Sequence, residues 1–147
     1  GISTPLIARW PGRFQASKKF IDTPSHFIDV MATCVDASGA AYPKDDVIPM
    51  QGRSLLPSCE GHAQTPDRPL FWEHEGNCAM RRGDWKVVRK HPGGWALYNM
   101  RDDRTELHDL ASAKPDVLRG MTADWDRWAN AAGVLPWDEV NKQMTSR

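Results

Sequence analysis

The sequence predicts a strand-helix remnant of an α/β domain, followed by an α+β subdomain with a three- to four-stranded antiparallel sheet and a packed C-terminal helix. Three observations lead to this prediction. An apolar run and an amphipathic helical pattern follow one another near the start, short strand-like runs fill the middle, and a tryptophan-rich helical pattern comes near the end. We divide the chain into residues 1–45, a connecting loop over residues 46–69, and a C-terminal subdomain over residues 70–147.

The first part contains one predicted strand and one predicted helix. The apolar run Pro5–Trp10 ends at a proline-glycine pair, which predicts a buried strand and a turn. The helix is predicted over Thr23–Ser38, with Thr23 as its N-cap and Gly39 as its stop signal. Its apolar face is formed by residues at helical spacing: Phe27, Ile28, Met31, Cys34 and Val35.

The second part changes to strand-like patterns. Residues 70–74 predict a strand, and residues 78–81 and 85–89 predict a hairpin around a compact Arg-Gly-Asp turn. Residues 95–100 predict a further strand. The helix predicted over Pro115–Ala132 covers one face of this sheet with an apolar stripe: Val117, Met121, Trp125, Trp128 and Ala132. The residues from Trp137 onward show little pattern.

Composition places the chain among ordinary globular proteins. It has 147 residues, with 19 lysines and arginines against 19 aspartates and glutamates, 40% hydrophobic residues and 26% charged residues. These values argue against disorder, a membrane span and a general nucleic-acid binder. The three cysteines allow at most one disulfide, and free buried thiols are the favoured interpretation.

The densest polar cluster follows the first strand of the sheet, at residues 72–77. Loops at strand ends present side chains from a rigid base. Glu73 and Glu75 alternate with His74, so one face of the strand can present the carboxylates and the other the imidazole. The alternative is a polar strand end that hydrogen-bonds across a domain contact. No phosphate loop, nucleophile elbow or zinc-ligand spacing is present, so neither a catalytic residue nor a metal ligand is predicted on this chain.

Several motifs gain specificity when they are read together and in order. One of them, Phe71-Trp72-Glu73-His74-Glu75-Gly76-Asn77-Cys78-Ala79-Met80-Arg81, has the form F-W-E-H-E-G-N-x-A-x-R. The others are Gly1–Gly12, His26–Thr33, Gly52–Pro57, Gly83–Val88, Leu97–Met100 and Glu106–Ala111. This series resembles the C-terminal third of a type I sulfatase of the arylsulfatase A-like kind, and it covers nearly the whole chain.

The resemblance implies an alkaline phosphatase-like fold and a parent enzyme that hydrolyses sulfate esters with formylglycine and calcium. In that family the modified cysteine and most calcium ligands lie upstream of the first motif, so this chain alone is expected to bind neither cofactor and to be inactive. Cys78-Ala79-Met80-Arg81 is rejected as the modified motif, because it lies on a predicted strand and Met80 stands where proline or alanine is required. The implied partners are the missing N-terminal sulfatase domain and a sulfated small molecule or glycan. The resemblance also implies a periplasmic or secreted location, although the compartment is not readable from these residues.

The role implied for this part of a sulfatase is to shape the substrate pocket. Glu73, His74 and Asn77, with Arg81 behind them, are the residues expected to contact the organic part of the sulfate ester. One alternative is a non-catalytic binding or structural module with a sulfatase C-terminal fold. Another is a different enzyme that uses Glu73 and His74 as acid and base.

Overall fold

The computed structural model describes residues 2–14, 20–62 and 67–145, and the chain divides into two compact units, Gly1–Pro66 and Asp67–Arg147. The first unit contains the helices α1 and α2. The second contains a four-stranded sheet and the helices α3 and α4. Their bounds are α1 Ile28–Ser38, α2 Leu56–Cys59, β1 Leu70–His74, β2 Asn77–Arg82, β3 Trp85–Arg89, β4 Trp95–Asn99, α3 Pro115–Ala132 and α4 Trp137–Thr145.

The sheet of the second unit is an antiparallel meander in the order β1-β2-β3-β4, which confirms the predicted sheet. Two-residue turns join its first three strands. In the first turn both Glu75 and Gly76 have positive φ, at 51° and 79°, as a type I′ turn requires. In the second turn Gly83 has φ 55°, which places the glycine at the first central position of a II′-like turn.

The core lies between one face of this sheet and α3. One cross-strand row is formed by Phe71, Met80, Val87 and Leu97, of which the last three are fully buried. The side chains of Met121, Trp125 and Ala129 cover this face from α3. The predicted helix bounds are confirmed, and Gly133 ends α3 in the left-handed conformation with φ 71°.

The helix α4 was not predicted, although its local signals are present. Pro136 precedes its first residue, Asp138 and Glu139 lie in its first turn, and Lys142 lies in its last turn. None of its residues is buried. Its apolar residues Trp137, Val140 and Met144 do stand at helical spacing, so the sequence contains a periodic signal that the prediction did not use.

Two sequence predictions for the first unit were wrong. The strand expected over Pro5–Trp10 does not form, because a buried strand needs a hydrogen-bonded neighbour and no other strand is present in the described part of this unit. The helix α1 starts at Ile28 rather than near Thr23. Its first turn is fixed by Asp29, whose Oδ2 accepts a hydrogen bond from the backbone N–H of His26 at 2.8 Å.

The predicted apolar face of α1 is largely exposed, and the residues that are buried are Asp29 and Ala32. Asp29 accepts a second hydrogen bond, from the backbone N–H of Arg53, at 2.9 Å. The hydroxyl of Thr33 donates to the backbone oxygen of Asp29 and accepts from the N–H of Leu55. Buried polar groups therefore attach the loop before α2 to α1, and the apolar face of α1 takes no part in this contact.

Gly52 makes the close approach between this loop and α1 possible. A Cβ at this position would overlap the backbone oxygen of Ile28, so any side chain displaces one of the two backbones. Gly120, in α3, offers a matched comparison because a Cβ there meets no atom within 4 Å.

We expect Gly52→Ala to destabilise the first unit by about 3 kcal/mol through overpacking against the α1 backbone. Gly120→Ala is expected to stabilise α3 by roughly 0.5–1 kcal/mol, because alanine loses less conformational entropy in a helix. Hydrogen exchange of the amides of α1 and α3 measures both effects. Unchanged exchange in α1 of the Gly52→Ala variant would contradict the close approach.

Candidate functional site

The first hairpin turn holds three of the four residues predicted to contact substrate. Glu73 and His74 end β1, and Asn77 begins β2 directly after the turn. The Glu73 carboxylate reaches back into the turn, where its Oε1 accepts a hydrogen bond from the N–H of Gly76 at 2.8 Å. This bond satisfies a backbone donor that the two-residue turn would otherwise leave free.

Gly76 is the packing centre of this turn. A Cβ at this position would lie 2.9 Å from Cγ of His91 and 2.9 Å from Cβ of Trp137. The glycine is therefore required twice, once for its positive φ and once for the approach of the β3–β4 loop and the start of α4. Three segments that are distant in sequence meet here.

Asn77 forms hydrogen bonds both within the turn and to the β3–β4 loop. Its Nδ2 donates to the backbone oxygen of His74 at 3.0 Å, and its Oδ1 accepts from the backbone N–H of His91 at 3.2 Å. The exposed amide of Asn77 therefore stabilises the contact between the turn and the β3–β4 loop.

Glu73 and His74 lie on opposite faces of the sheet, as the alternation of the strand predicts. Glu73 is half-buried on the face covered by α3. The His74 side chain is 84% exposed, and its Nδ1 lies 3.9 Å from a carboxylate oxygen of Glu75. Glu73 and His74 are therefore neighbours in the chain, but their side chains lie on opposite sides of the sheet and cannot act on the same substrate atom. This arrangement disfavours an acid–base pair formed by Glu73 and His74.

Arg81 lies apart from the turn. It pairs with Leu70 and Lys86, four residues along β2 from Asn77, which corresponds to about 13 Å. Its Nε donates to the backbone oxygen of Gly83 at 3.2 Å. Burial lowers the pKa of the Arg81 guanidinium, and the charge of Arg104 lowers it further.

An open cavity of about 630 Å³ lies beside the hairpin turn, within the second unit. Of the four predicted residues, only Glu73 lines it. The charged or ionisable groups that line it and that the sequence analysis did not single out for a site are Arg89, His91, Asp126 and Asp138. They come from β3, the following loop, α3 and α4, and no spacing in the sequence links them.

A second cross-strand row contains Glu73, Cys78, Arg89 and Trp95, and the first three of these residues line the inner wall of the cavity. Burial raises the pKa of the Cys78 thiol, and the neighbouring Arg89 lowers it only in part. The guanidinium of Arg89 donates to Cys78 Sγ at 3.1 Å, and the thiol donates to the backbone oxygen of Gly76 at 3.3 Å.

The described residues do not provide a metal site. Across residues 2–14, 20–62 and 67–145, no group of three or more His, Cys, Asp and Glu side chains is arranged to hold a metal ion. In the same ranges, no helix is long and apolar enough to cross a membrane.

No family model matches the chain, but curated relatives do. It is 38% identical over 92 residues to the steryl-sulfatase of Homo sapiens, covering 63% of this chain and 14% of that protein. It is 39% identical over 80 residues to the N-acetylgalactosamine-6-sulfatase of Canis lupus familiaris, covering 54% and 14%. An uncharacterized sulfatase of Schizosaccharomyces pombe is 26% identical over 149 residues, covering 92% and 26%. The chain therefore spans about 14–26% of the length of these relatives.

Solved structures show the same fold. The crystal structure of Ps i-CgsB superposes with a TM-score of 0.69 at 22% identity, covering 82% of this chain and 27% of that chain. The structure of BT4656 in complex with its substrate D-glucosamine-2-N,6-O-disulfate superposes with a TM-score of 0.51 at 19% identity, covering 69% and 23%. The predicted fold, the C-terminal end of an alkaline phosphatase-like sulfatase fold, is confirmed.

We expect Cys78 to react with iodoacetamide far more slowly than Cys34. Cys78 is buried and its pKa is raised by burial, whereas Cys34 is exposed. Mass spectrometry of tryptic peptides at increasing reaction times measures the two rates. Denaturation in urea is the control, since it removes the burial and should make the rates similar. Equal rates in the native protein would contradict the buried row.

Proposed function

The chain belongs to the sulfatase family, and on that premise we propose that it is the C-terminal part of a sulfuric ester hydrolase. The observation that carries this proposal is the pair of relatives at 38% and 39% identity, both sulfatases, of which the chain spans 14% each. Hydrolysis of a sulfate ester releases an alcohol and inorganic sulfate. In the proposal, the reacting centre lies on chain that precedes Gly1.

The described residues of this chain do not fit the two cofactors that the family implies. Calcium takes six to eight oxygen ligands, and the described residues hold no cluster of carboxylates arranged for it. The thiol of Cys78 is buried within a strand and bonded to Arg89, which is unlike an accessible reactive group. We therefore derive no step through calcium or formylglycine, and assign both to the preceding chain.

The first unit exposes many apolar side chains, and this supports the proposal that another protein domain packs against it. Ile7, Phe20 and Phe27 are 91%, 94% and 88% exposed, and Leu6, Met31 and Ile48 are also exposed. Apolar side chains gain about 25 cal/mol for each Å² removed from water, so covering this surface is strongly favourable. We propose that the preceding α/β domain of the same enzyme covers it.

The substrate-shaping role of Glu73, His74, Asn77 and Arg81 remains a proposal. His74 supports it best, because its imidazole is exposed and can donate and accept hydrogen bonds. Glu73 supports it through the cavity that it lines. Asn77 and Arg81 each keep a bond to the backbone, and the proposal requires their remaining polar atoms to face the organic part of the ester.

An activity assay tests the proposed function. We expect no turnover of an aryl sulfate by this chain alone in the presence of calcium. The same chain joined to its upstream gene region is expected to release sulfate. Turnover by this chain alone, or an upstream region that encodes no sulfatase domain, would overturn the proposal. The second of these outcomes would instead favour a non-catalytic module.

His74→Ala and Asn77→Ala separate substrate contact from structural support in the joined enzyme. We expect His74→Ala to raise KM with an unchanged thermal midpoint, because the side chain is largely exposed and buries little surface in the fold. Asn77→Ala should lower stability by about 1–3 kcal/mol, since it removes the bonds to His74 and His91. His62→Ala, in an exposed position of the first unit, is the control. A stable His74→Ala enzyme with unchanged kinetics would remove this residue from the pocket.

A further inference from the structure

The open cavity beside the first hairpin turn contains polar groups that the fold leaves with free bonding capacity. Arg89 is half-buried in its wall, with its guanidinium 5.0 Å from the ring centre of Trp95 and 5.5 Å from that of Trp125. Its one hydrogen bond within the described chain goes to the sulfur of Cys78, and no described carboxylate lies within ion-pair distance of it. A guanidinium carries five N–H donors, so most of these donors remain available.

Acceptors line the same cavity. Asp126 is exposed on α3 and forms neither a hydrogen bond nor an ion pair with any described residue. Glu73 uses Oε1 for the N–H of Gly76, which leaves its other oxygen free. Asp138 lies 3.2 Å from Nε2 of His91 and is otherwise exposed. A ligand in this cavity meets open donors and open acceptors together.

The cavity is lined by groups of both signs with an excess of negative charge, which disfavours an anionic ligand. Three carboxylates, those of Glu73, Asp126 and Asp138, face one guanidinium and one histidine. This excess of negative charge disfavours a sulfated or carboxylated group. A purely apolar ligand is also disfavoured, because it would bury Arg89 and Asp126 without hydrogen-bond partners.

The remaining wall is apolar and is formed by the first residue of α4 and the segment that precedes it. Trp137, Leu135 and Pro136 line this side, and Pro92 lines the loop opposite. An indole offers a flat apolar surface against which the C–H groups of a ring can pack. The volume of the cavity lies within the range of about 300–1,000 Å³ typical of small-molecule sites.

We propose that this cavity binds an uncharged pyranose unit. A sugar hydroxyl donates and accepts at once, so it can bond Arg89 on one side and Asp126 or Glu73 on the other. The carbon face of the ring packs against Trp137. This inference extends the role proposed for Glu73. It is tested by binding alone, so it stands or falls separately from sulfate ester hydrolysis.

The experiment is a titration of the whole chain followed by ¹H–¹⁵N NMR at the indole N–H of Trp137. The probes are the methyl pyranosides of glucose, galactose and mannose, with sorbitol as an acyclic polyol control. Galactose and galactose 6-sulfate form a matched neutral and charged pair. We expect saturable shifts with at least one methyl pyranoside, little effect of sorbitol, and weaker binding of galactose 6-sulfate than of galactose.

Three variants locate the binding groups. Asp126→Asn and Glu73→Gln should each weaken binding about tenfold, the usual effect of losing a hydrogen bond to a charged group. Glu139→Gln, on the exposed side of α4 and outside the cavity, should have no effect. Asp126 has no partner in the fold, so its variant keeps the test valid if Glu73→Gln disturbs the turn.

Four results would overturn the proposal. They are the absence of a saturable shift with all three methyl pyranosides, an equal shift with sorbitol, tighter binding of the sulfated sugar, and unchanged binding in both Asp126→Asn and Glu73→Gln. Loss of aryl sulfate turnover in the joined enzyme would leave it untouched, since no catalytic step enters the measurement.

Discussion

The burial of one cross-strand row beneath α3 is the contact on which the second unit depends. Phe71, Met80, Val87 and Leu97 lie side by side across four strands, and three of them are fully removed from water. The indole of Trp128 stacks on Phe71 with ring centres 5.0 Å apart. Because strand side chains alternate with a period of two, this row fixes the register of every strand. A slip of one residue would turn the core row outward.

The cavity follows from the same register. Two residues further along each strand, the row on the same face changes from apolar side chains to Glu73, Cys78, Arg89 and Trp95. The helix that seals the first row therefore covers a partly polar row as it continues. The N–H of the Trp125 indole donates to the backbone oxygen of Trp72 at 3.2 Å, which holds the helix over this boundary. The core and the cavity are thus consecutive parts of one interface.

The first unit is organised mainly by hydrogen bonds. Its central contact is a buried carboxylate, Asp29, which satisfies backbone donors from two segments of the chain. Hydrogen bonds of this kind specify geometry more than they contribute net stability, since each one replaces a bond to water. The apolar residues that ordinarily supply stability remain largely exposed here. The two units therefore differ in what organises them, which is buried apolar side chains in the second and buried hydrogen bonds in the first.

The sequence by itself predicted the antiparallel sheet, the turn at Gly83 and the bounds of α3. These depend on local patterns: alternation along strands, glycine at positive φ, and the spacing of Met121 and Trp125. It also predicted the cluster at the first hairpin turn, including the opposite orientations of Glu73 and His74. It failed for the strand at Pro5–Trp10, which depends on neighbours that no local pattern reveals. It also failed for the start of α1, which is set by the hydrogen bond from the N–H of His26 to Asp29.

Only the tertiary structure decided which polar groups share a site. Arg89, His91, Asp126 and Asp138 are separated by up to 49 positions in the chain, and they meet because Gly76 admits the β3–β4 loop and α4 to the same turn. The separation of Arg81 from Asn77 has a local origin instead, because one extended strand carries both residues. Periodicity in a sequence determines which face a side chain takes. The distance between two faces or two elements is set by packing, which involves residues from the whole unit at once.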